Sequence, residues 1–331
     1  MVAAVETMAY AGELPWHGLG TKVPQDLSTD EFIKQAGLDW TVSKKPLFFM
    51  NKESKPISTG MNALVRDTDD KILTHVSSKW NPVQNKQAFD FFEEFVNAGD
   101  MHMHTAGSLQ DGKRVWALAK IQDGIKLFGK DDIENYLLFC NPHLHGASVQ
   151  VKTTNIRVVC NNTLTASLDA ASNVDVKFTH RTAFDPEVAK QAVFVAKERL
   201  QEFKTYAEFL GSKRYTELKV KAFLQEVFKN HGTGKRVGKT AEAAFEVLET
   251  QPGANIRPGT WWNALNAVTF MTDHKLGKST DARLASAWYG ANARVKDKAV
   301  KKVLEYADCL LYTSDAADEG LGVDLGGRRI I

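Results

Sequence analysis

The strongest constraint on the fold is a series of short apolar runs between Trp40 and Lys152. Apolar residues in these runs often alternate with polar ones, the period of two that is typical of strands with one buried face. The runs are PLFFM, GMNALVRD, KILTHVS, MHMHTAGSL, RVWALAKI and ENYLLF, and the stretches DTDDK and LQDGKR are rich in turn-forming residues. Turns of this kind between strands indicate hairpins. The sequence therefore predicts an antiparallel sheet.

One helical segment interrupts the predicted strands. Its apolar residues follow the i, i+3, i+4, i+7 spacing of a single helix face and are Ala88, Phe91, Phe92 and Phe95. Asn85 is suited to cap the N-terminus of this helix, and Gly99 suits its C-terminal end. We therefore expect at least one helix to cover the sheet.

After Asp185 the apolar period changes to that of a helix. Asp185 followed by Pro186 is typical of a helix N-terminus. The apolar stripe that follows spans about six turns and consists of Ala189, Ala192, Val193, Ala196, Leu200, Phe203, Ala207 and Leu210. Further helices are predicted over residues 217–230, 240–250, 260–273 and 281–308. The predicted class is α+β, with a strand-rich core in residues 1–184 and a C-terminal helical layer or subdomain in residues 185–308.

The segment from Cys309 to Ile331 does not continue this pattern. It resembles the translated transposon-end adapter of DNA sequencing libraries, which reads as Cys309 to Asp318 and, further on, as Val323 to Ile331. We therefore expect a non-native tail, with a natural sequence that differs after Asp308, and exclude the tail from fold prediction. The remaining cysteines, Cys140 and Cys160, are too few for a disulfide framework, which favours a reducing compartment.

Charge is distributed unevenly along the chain. Residues 1–149 carry 15 basic and 19 acidic side chains, a net charge of −4, whereas residues 150–308 carry 25 and 17, a net charge of +8. A basic half favours an acidic partner such as nucleic acid, and a solvated helical surface is the equally weighted alternative. No apolar run approaches the roughly 20 residues of a membrane span, and no signal sequence is evident. These features predict a cytoplasmic protein.

The stretch from Asn230 to Thr240, NHGTGKRVGKT, is the predicted linker because it is Gly-rich and basic. It ends like a phosphate-binding loop, but Thr233 stands where the first glycine of that motif belongs, and a helix rather than a strand precedes it. We expect a flexible connector whose cations contact phosphates, namely Lys235, Arg236 and Lys239.

Two His-x-His pairs are candidate metal ligands. His102/His104 and His143/His145 each place two imidazoles on one side of a strand, and Cys140 lies close to the second pair in sequence. No carboxylate completes a recognised ligand set. We therefore predict no metal and no cofactor, with a site formed by the four histidines as the alternative.

Cys160 follows Arg157 and two valines in IRVVCNNTL. The nearby cation would favour a reactive thiolate. The apolar residues before it favour instead a buried, unreactive side chain.

Two long motifs, MAYAGELPWHGLGTKV (Met8 to Val23) and IRVVCNNTL (Ile156 to Leu164), resemble those of the phage/plasmid-like protein family built on the domain of unknown function 932. The segment WNPVQNKQAFDFFEEF and the order of strands and helices agree with that family. The resemblance implies a mobile element in a bacterial host cell, and it leaves the activity open. The motif residues are Trp16, His17, Gly18, Gly20, Arg157, Cys160, Asn161 and Asn162.

These features favour a phage- or plasmid-encoded nucleic-acid-binding protein over an enzyme, with single-stranded DNA as the expected partner for binding or annealing. Trp80, Trp116, Trp261 and Trp262 are side chains able to stack on bases. For Trp116, the apolar run RVWALAKI favours a place in the core instead. The predicted phosphate contacts are Lys152, Arg157, Lys235, Arg236 and Lys239. A metal- or thiol-dependent enzyme using the histidine pairs and Cys160, and a host-interaction protein, are the alternatives. The sequence does not distinguish DNA from RNA as the partner. It is also compatible with a homo-oligomer.

Deleting Cys309–Ile331 is expected to leave the melting temperature unchanged, because an adapter-derived tail has not evolved with the core. Thermal unfolding of the full and shortened chains measures this. A fall of several degrees on deletion would show that the tail packs.

Overall fold

The computed structural model describes residues 5–13, 19–157, 162–165, 176–181, 185, 200–229, 236–279, 283, 286–288 and 290–318. The strands are β1 (Val5–Ala11), β2 (Thr21–Val23), β3 (Val42–Met50), β4 (Pro56–Arg66), β5 (Ile72–Ser77), β6 (Met101–Leu109), β7 (Arg114–Leu127), β8 (Asp131–Pro142), β9 (Val149–Arg157), β10 (Asn162–Thr165) and β11 (Val176–Phe178). The helices are α1 (Thr29–Gln35), α2 (Asn85–Asn97), α3 (residues 200–212), α4 (Glu217–Phe228), α5 (Arg236–Glu246), α6 (Trp261–Phe270) and α7 (Ala291–Asp318).

The strands form two sheets. The larger sheet has the order β10-β9-β8-β7-β6-β1-β2, and β11 also pairs with β9. The smaller sheet is the meander β3-β4-β5. The pairs are antiparallel except for β1 with β2, which is parallel. The predicted α+β class, with an antiparallel sheet and later helices, is confirmed.

Turn chemistry accounts for the two predicted hairpins. The turn between β4 and β5 has Asp70 at a φ of 53°, and the turn between β6 and β7 has three successive residues at positive φ, Gln110, Asp111 and Gly112. Asp and Gly tolerate this left-handed region better than β-branched residues do. The alternating runs on either side of each turn therefore pair as expected.

Helices α1 and α2 and the smaller sheet cover one face of the larger sheet. Phe89, Phe92 and Phe95 of α2 are buried there against strand residues such as Phe139 and Val115. The opposite face carries a second apolar cluster, in which Trp116 packs edge-on against Trp288. Sequence periodicity predicted α2 but missed α1. Its capping box was visible as Ser28 three residues before Glu31.

Asn85 was expected to cap α2, and this prediction is wrong. The residue is buried, and its Nδ2 donates to the carbonyl oxygens of Leu38 (3.0 Å) and Trp40 (3.3 Å). The capping role falls to the preceding residue, because the amide N–H of Gln84 donates to Oε1 of Gln87 three residues later. Asn85 therefore ties α2 to the chain before β3.

The helices α3 to α7 form a separate apolar core, and residues of the predicted α3 stripe such as Phe203 and Leu210 are buried in it. The predicted linker is wrong from Arg236 onwards, where the chain is helical, and residues 230–235 lie outside the described residues. Helix α5 begins at Arg236, four residues earlier than expected, and Ala241 and Ala244 form its buried face. Helix α7 continues to Asp318, ten residues beyond its predicted end. No helix of the described residues is long and apolar enough to cross a membrane.

His143 occupies a buried position beside α2. Its Nε2 lies 3.0 Å from Oδ1 of Asn85, and its ring packs at 5.2 Å from that of Trp40. Burial, together with the neighbouring His180, lowers the pKa of His143 to about 3. The ring is therefore neutral in the folded protein at pH values where it is already protonated in the unfolded chain.

We expect His143 to make the protein less stable as the pH falls from about 6.5 to 3, because only the unfolded state takes up the proton over that range. Between pH 6.5 and 5 this amounts to about 2 kcal/mol. Denaturant unfolding at pH 7 and pH 5 should give a smaller stability loss for His143→Gln than for wild type. The exposed His145→Gln variant is the control and should behave as wild type. Equal losses in wild type and His143→Gln would contradict this.

Candidate nucleic-acid interface

A band of ionisable side chains crosses one face of the larger sheet. Lys120 on β7 lies directly opposite His102 on β6 and Tyr136 on β8. Glu134, two residues before Tyr136 and hence on the same face, accepts from Lys120 Nζ (2.5 Å) and from the Tyr136 hydroxyl (2.5 Å). The ring of His104 packs on that of Tyr136, with centroids 5.2 Å apart. The first His-x-His pair therefore belongs to a sheet-face cluster.

Burial sets the protonation of this cluster. It lowers the pKa of His104 to about 4, so the imidazole is neutral at pH 7. Burial opposes ionisation of Glu134, but the hydrogen bonds from Lys120 and Tyr136 outweigh it and lower the pKa of the carboxyl group. A neutral imidazole and an ionised carboxylate share one face, which is the combination used for proton transfer.

The second pair, His143 and His145, was predicted to lie on one side of a strand, and this prediction is wrong. His143 is buried whereas His145 is exposed, because both follow the end of β8 and do not lie on a strand. The two pairs also lie at different levels along β7, since His102 is opposite Lys120 near its middle while Pro142 is opposite Arg114 at its first residue. Six residues of strand correspond to about 20 Å. The structure therefore does not bring the four histidines together.

Cys140, the other candidate ligand, is buried on β8. The Nη1 atom of Arg114 lies 3.6 Å from its sulfur. Within the described part of the chain, no group of three His, Cys, Asp or Glu side chains is placed to hold a metal ion.

Much of the motif predicted from sequence falls outside the described residues, including Trp16, His17, Gly18, Cys160 and Asn161. Gly20 is described. It has a φ of 101°, and a Cβ atom there would lie 2.9 Å from Cγ of Met8, which explains the glycine. Asn162 of β10 pairs with Arg157 at the end of β9, where both are described by their backbone.

The predicted phosphate contacts lie on separate elements. Lys152 is half-buried on β9 opposite Leu138. Arg236 and Lys239 lie in the first turn of α5 and not on a flexible connector, and Lys239 is exposed. Lys235 is outside the described residues. The positions of these cations therefore neither support nor exclude the interface predicted from sequence.

Trp80, Trp261 and Trp262 are buried, so the prediction that they stack on bases is wrong, whereas the core position favoured for Trp116 is confirmed. Trp80 packs against His180 at 4.1 Å, and Trp116, Trp261 and Trp262 are among the buried core residues. Their large apolar surfaces stabilise the cores. A base-stacking surface has to come from other side chains.

The hairpin β3–β4 supplies exposed aromatic side chains. Its register shifts after the pair Pro46–Asn62, so that residues 59–61 lie opposite Leu47 alone. This bulge places Gly60 at a φ of 71°, and the Thr59 hydroxyl donates to the carbonyl of Leu47 at 2.9 Å. Bulges of this kind bend a hairpin. We call residues 47–59, which run from the bulge to the tip of the hairpin and back, the arm.

The tip of the arm has a fixed conformation. Oδ1 of Asn51 accepts from the backbone N–H groups of Glu53 and Lys55, both at 2.9 Å. The amide of Asn51 donates to the carbonyl of Lys55 at 3.0 Å, and Ser54 adopts a φ of 58°. Side-chain bonds to the backbone of this type define an Asx turn. The strands of the arm are therefore held in register.

Apolar side chains of the arm point into solvent. The exposed fractions are 58% for Phe48, 52% for Phe49, 62% for Met50 and 41% for Ile57. Several large apolar residues exposed on one short hairpin are unusual on a protein surface and are typical of an interaction site. The sequence PLFFM predicted a strand, but the exposure of that strand was not predicted. The signal was the partner sequence KPISTG, which has little apolar surface to build a core layer.

The surroundings of the arm are basic. Lys45, Lys52 and Lys55 are exposed, and Glu53 is the single acid of the arm. Lys55 pairs with Glu53 at 2.9 Å. Lys52 forms no ion pair with any described residue. Aromatic rings next to exposed cations are the combination that single-stranded nucleic acids bind.

Comparison with known proteins identifies the family of the chain. The sequence profile of the family described as Domain of unknown function (DUF932) matches residues 72–288, from β5 to Trp288. The motif at Ile156–Leu164 lies inside this range, whereas the arm and the motif at Met8–Val23 lie before it. No curated protein and no solved structure matches the chain. The match covers well over half of the residues, and the chain therefore belongs to the family of the domain of unknown function 932.

Proposed function

We propose that this chain is a single-stranded nucleic-acid-binding protein of a phage or plasmid, acting by binding in the host cytoplasm and without catalysis. The observation that carries the proposal is the arm, with Phe48 and Phe49 more than half exposed beside Lys45, Lys52 and Lys55. Its preferred partner is single-stranded DNA, because unpaired bases can stack on the rings while the phosphates contact the lysines.

Stacking on unpaired bases explains both the exposure and the rigidity of the arm. Exposed rings on a hairpin with a fixed tip contact bases without a large loss of side-chain freedom. The rings would leave water on binding, which favours the complex in proportion to the apolar area removed. Duplex DNA hides its base faces in the stack, so we expect it to bind more weakly than a single strand.

A second candidate function is supported by the same exposure. An apolar patch also fits a protein partner, as in a host-interaction protein. The two differ in their response to salt. Counterion release makes nucleic-acid binding fall steeply with salt concentration. The lysines around the arm favour the nucleic acid.

The Phe48→Ala, Phe49→Ala double variant is expected to bind single-stranded DNA at least about tenfold more weakly than wild type, because a stacked base contributes about 1–3 kcal/mol. Fluorescence anisotropy with labelled single and double strands at two salt concentrations measures the affinity. Leu218→Ala is the matched control, because Leu218 is a large apolar residue that is 81% exposed on α4, a different element from the arm. It should bind as wild type does. If wild type gives no anisotropy change at micromolar concentration and low salt, the proposal is replaced by a protein partner.

The same titration separates two basic surfaces. Replacing Lys45, Lys52 and Lys55 together by Ala should lower the salt slope by about 2, at about 0.7 for each phosphate contact on a single strand. The triple replacement of Lys235, Arg236 and Lys239, predicted from sequence, removes the same charge elsewhere and should lower it equally if those cations also touch phosphate. Circular dichroism controls for folding. An unchanged slope in either triple variant would remove that surface from the interface.

A further inference from the structure

The arm exposes apolar residues on both of its faces. Phe49 lies opposite Ile57 in the register, so these two side chains share one face. Phe48 lies opposite Ser58 and Met50 opposite Pro56, so Phe48 and Met50 share the other face. Each face therefore carries one phenylalanine and one large aliphatic side chain. In all four, two fifths or more of the side-chain surface is exposed.

A single flat contact covers only one face of a two-stranded ribbon. If the arm lay along one strand of nucleic acid with Phe49 stacked on a base, Phe48 and Met50 would still be in water. Burying both faces requires a contact on each side. The register and the fixed tip exclude a twist that would bring the two phenylalanines to one face, because neighbouring strand residues point in opposite directions.

We propose that the arm lies between two single strands of nucleic acid, with Phe48 and Met50 against one strand and Phe49 and Ile57 against the other. This inference rests on the proposed function and specifies the partner at the same site. One chain then holds two strands on opposite sides of a ribbon, a distance comparable with the roughly 10 Å between packed sheets. Holding two strands close together is the step that precedes their annealing.

The charges of the arm favour nucleic acid over a second copy of the chain. A symmetric contact between two arms would bring like surfaces together, and each arm has Lys52 and Lys55 at its tip with Glu53 as the single acid. Two such tips repel each other. A strand of nucleic acid neutralises the lysines instead. The tip joins the two strands of the hairpin, so its lysines are within reach of phosphates on both sides.

The test uses the full chain with short, non-complementary DNA strands in excess. Native mass spectrometry counts the strands bound to each chain, and energy transfer between a donor-labelled and an acceptor-labelled strand reports their proximity. Wild type is expected to carry two strands and to show energy transfer. The variant Phe48→Ser, Met50→Ser and the variant Phe49→Ser, Ile57→Ser should each carry one strand and lose the energy transfer. Both retain the core because the arm lies outside it.

The outcomes separate the two proposals. If wild type binds one strand per chain, the bridging inference is overturned while the proposed function stands. If wild type binds no strand, the proposed function fails as well. If wild type is a dimer without DNA and one single-face variant is a monomer, that face is a self-contact and bridging is overturned. The Leu218→Ser variant, altered at an exposed apolar residue of α4, should give the wild-type stoichiometry.

Discussion

The fold depends on the long hairpin of β7 and β8. Near its open end, the two strands form the centre of the larger sheet, with Phe139 and Val115 in one apolar cluster and Trp116 and Leu138 in the other. Near its turn, Leu127 and Ile133 enter the helical core instead. Nε1 of Trp262 donates to Oδ2 of the buried Asp131 at 3.2 Å, a hydrogen bond between the helical core and the first residue of β8. One hairpin thus joins the strand-rich and helical parts.

The arm differs from this hairpin in what its side chains contact. Both hairpins carry apolar residues on two faces, but β7 and β8 are covered on both sides, whereas the arm is covered on neither. Its rigidity therefore comes from backbone pairing, the bulge at Gly60 and the Asn51 turn. A surface that is ordered without being packed is available for a partner at low conformational cost. This makes the arm a better candidate for binding than the polar band, whose groups already bond one another.

Sequence periodicity predicted the strands and most helices because local pattern determines which face is buried. It could not predict what covers that face. Trp80, Trp261 and Trp262 were therefore assigned to base stacking although long-range packing buries them. Asn85 was taken as a cap although it bonds to Leu38 and Trp40 far away in sequence. Exposure of Phe48 and Phe49 is likewise a tertiary property. Nothing in the five letters PLFFM distinguishes a core strand from an arm.

Net charge has the same limitation as a guide to binding. Several cations of the basic half are already engaged: Lys296 pairs with Asp273 at 2.8 Å in the helical core, and Lys302 pairs with Glu226 at 3.0 Å. A buried lysine paired in this way stabilises one arrangement of α7 and contributes nothing to a surface field. The net charge of +8 therefore overstates the charge that a phosphate chain can meet. In the arm, by contrast, Lys52 is exposed on the same hairpin as exposed aromatic rings. A few cations placed near stacking surfaces are therefore a better guide to nucleic-acid binding than the net charge of the chain.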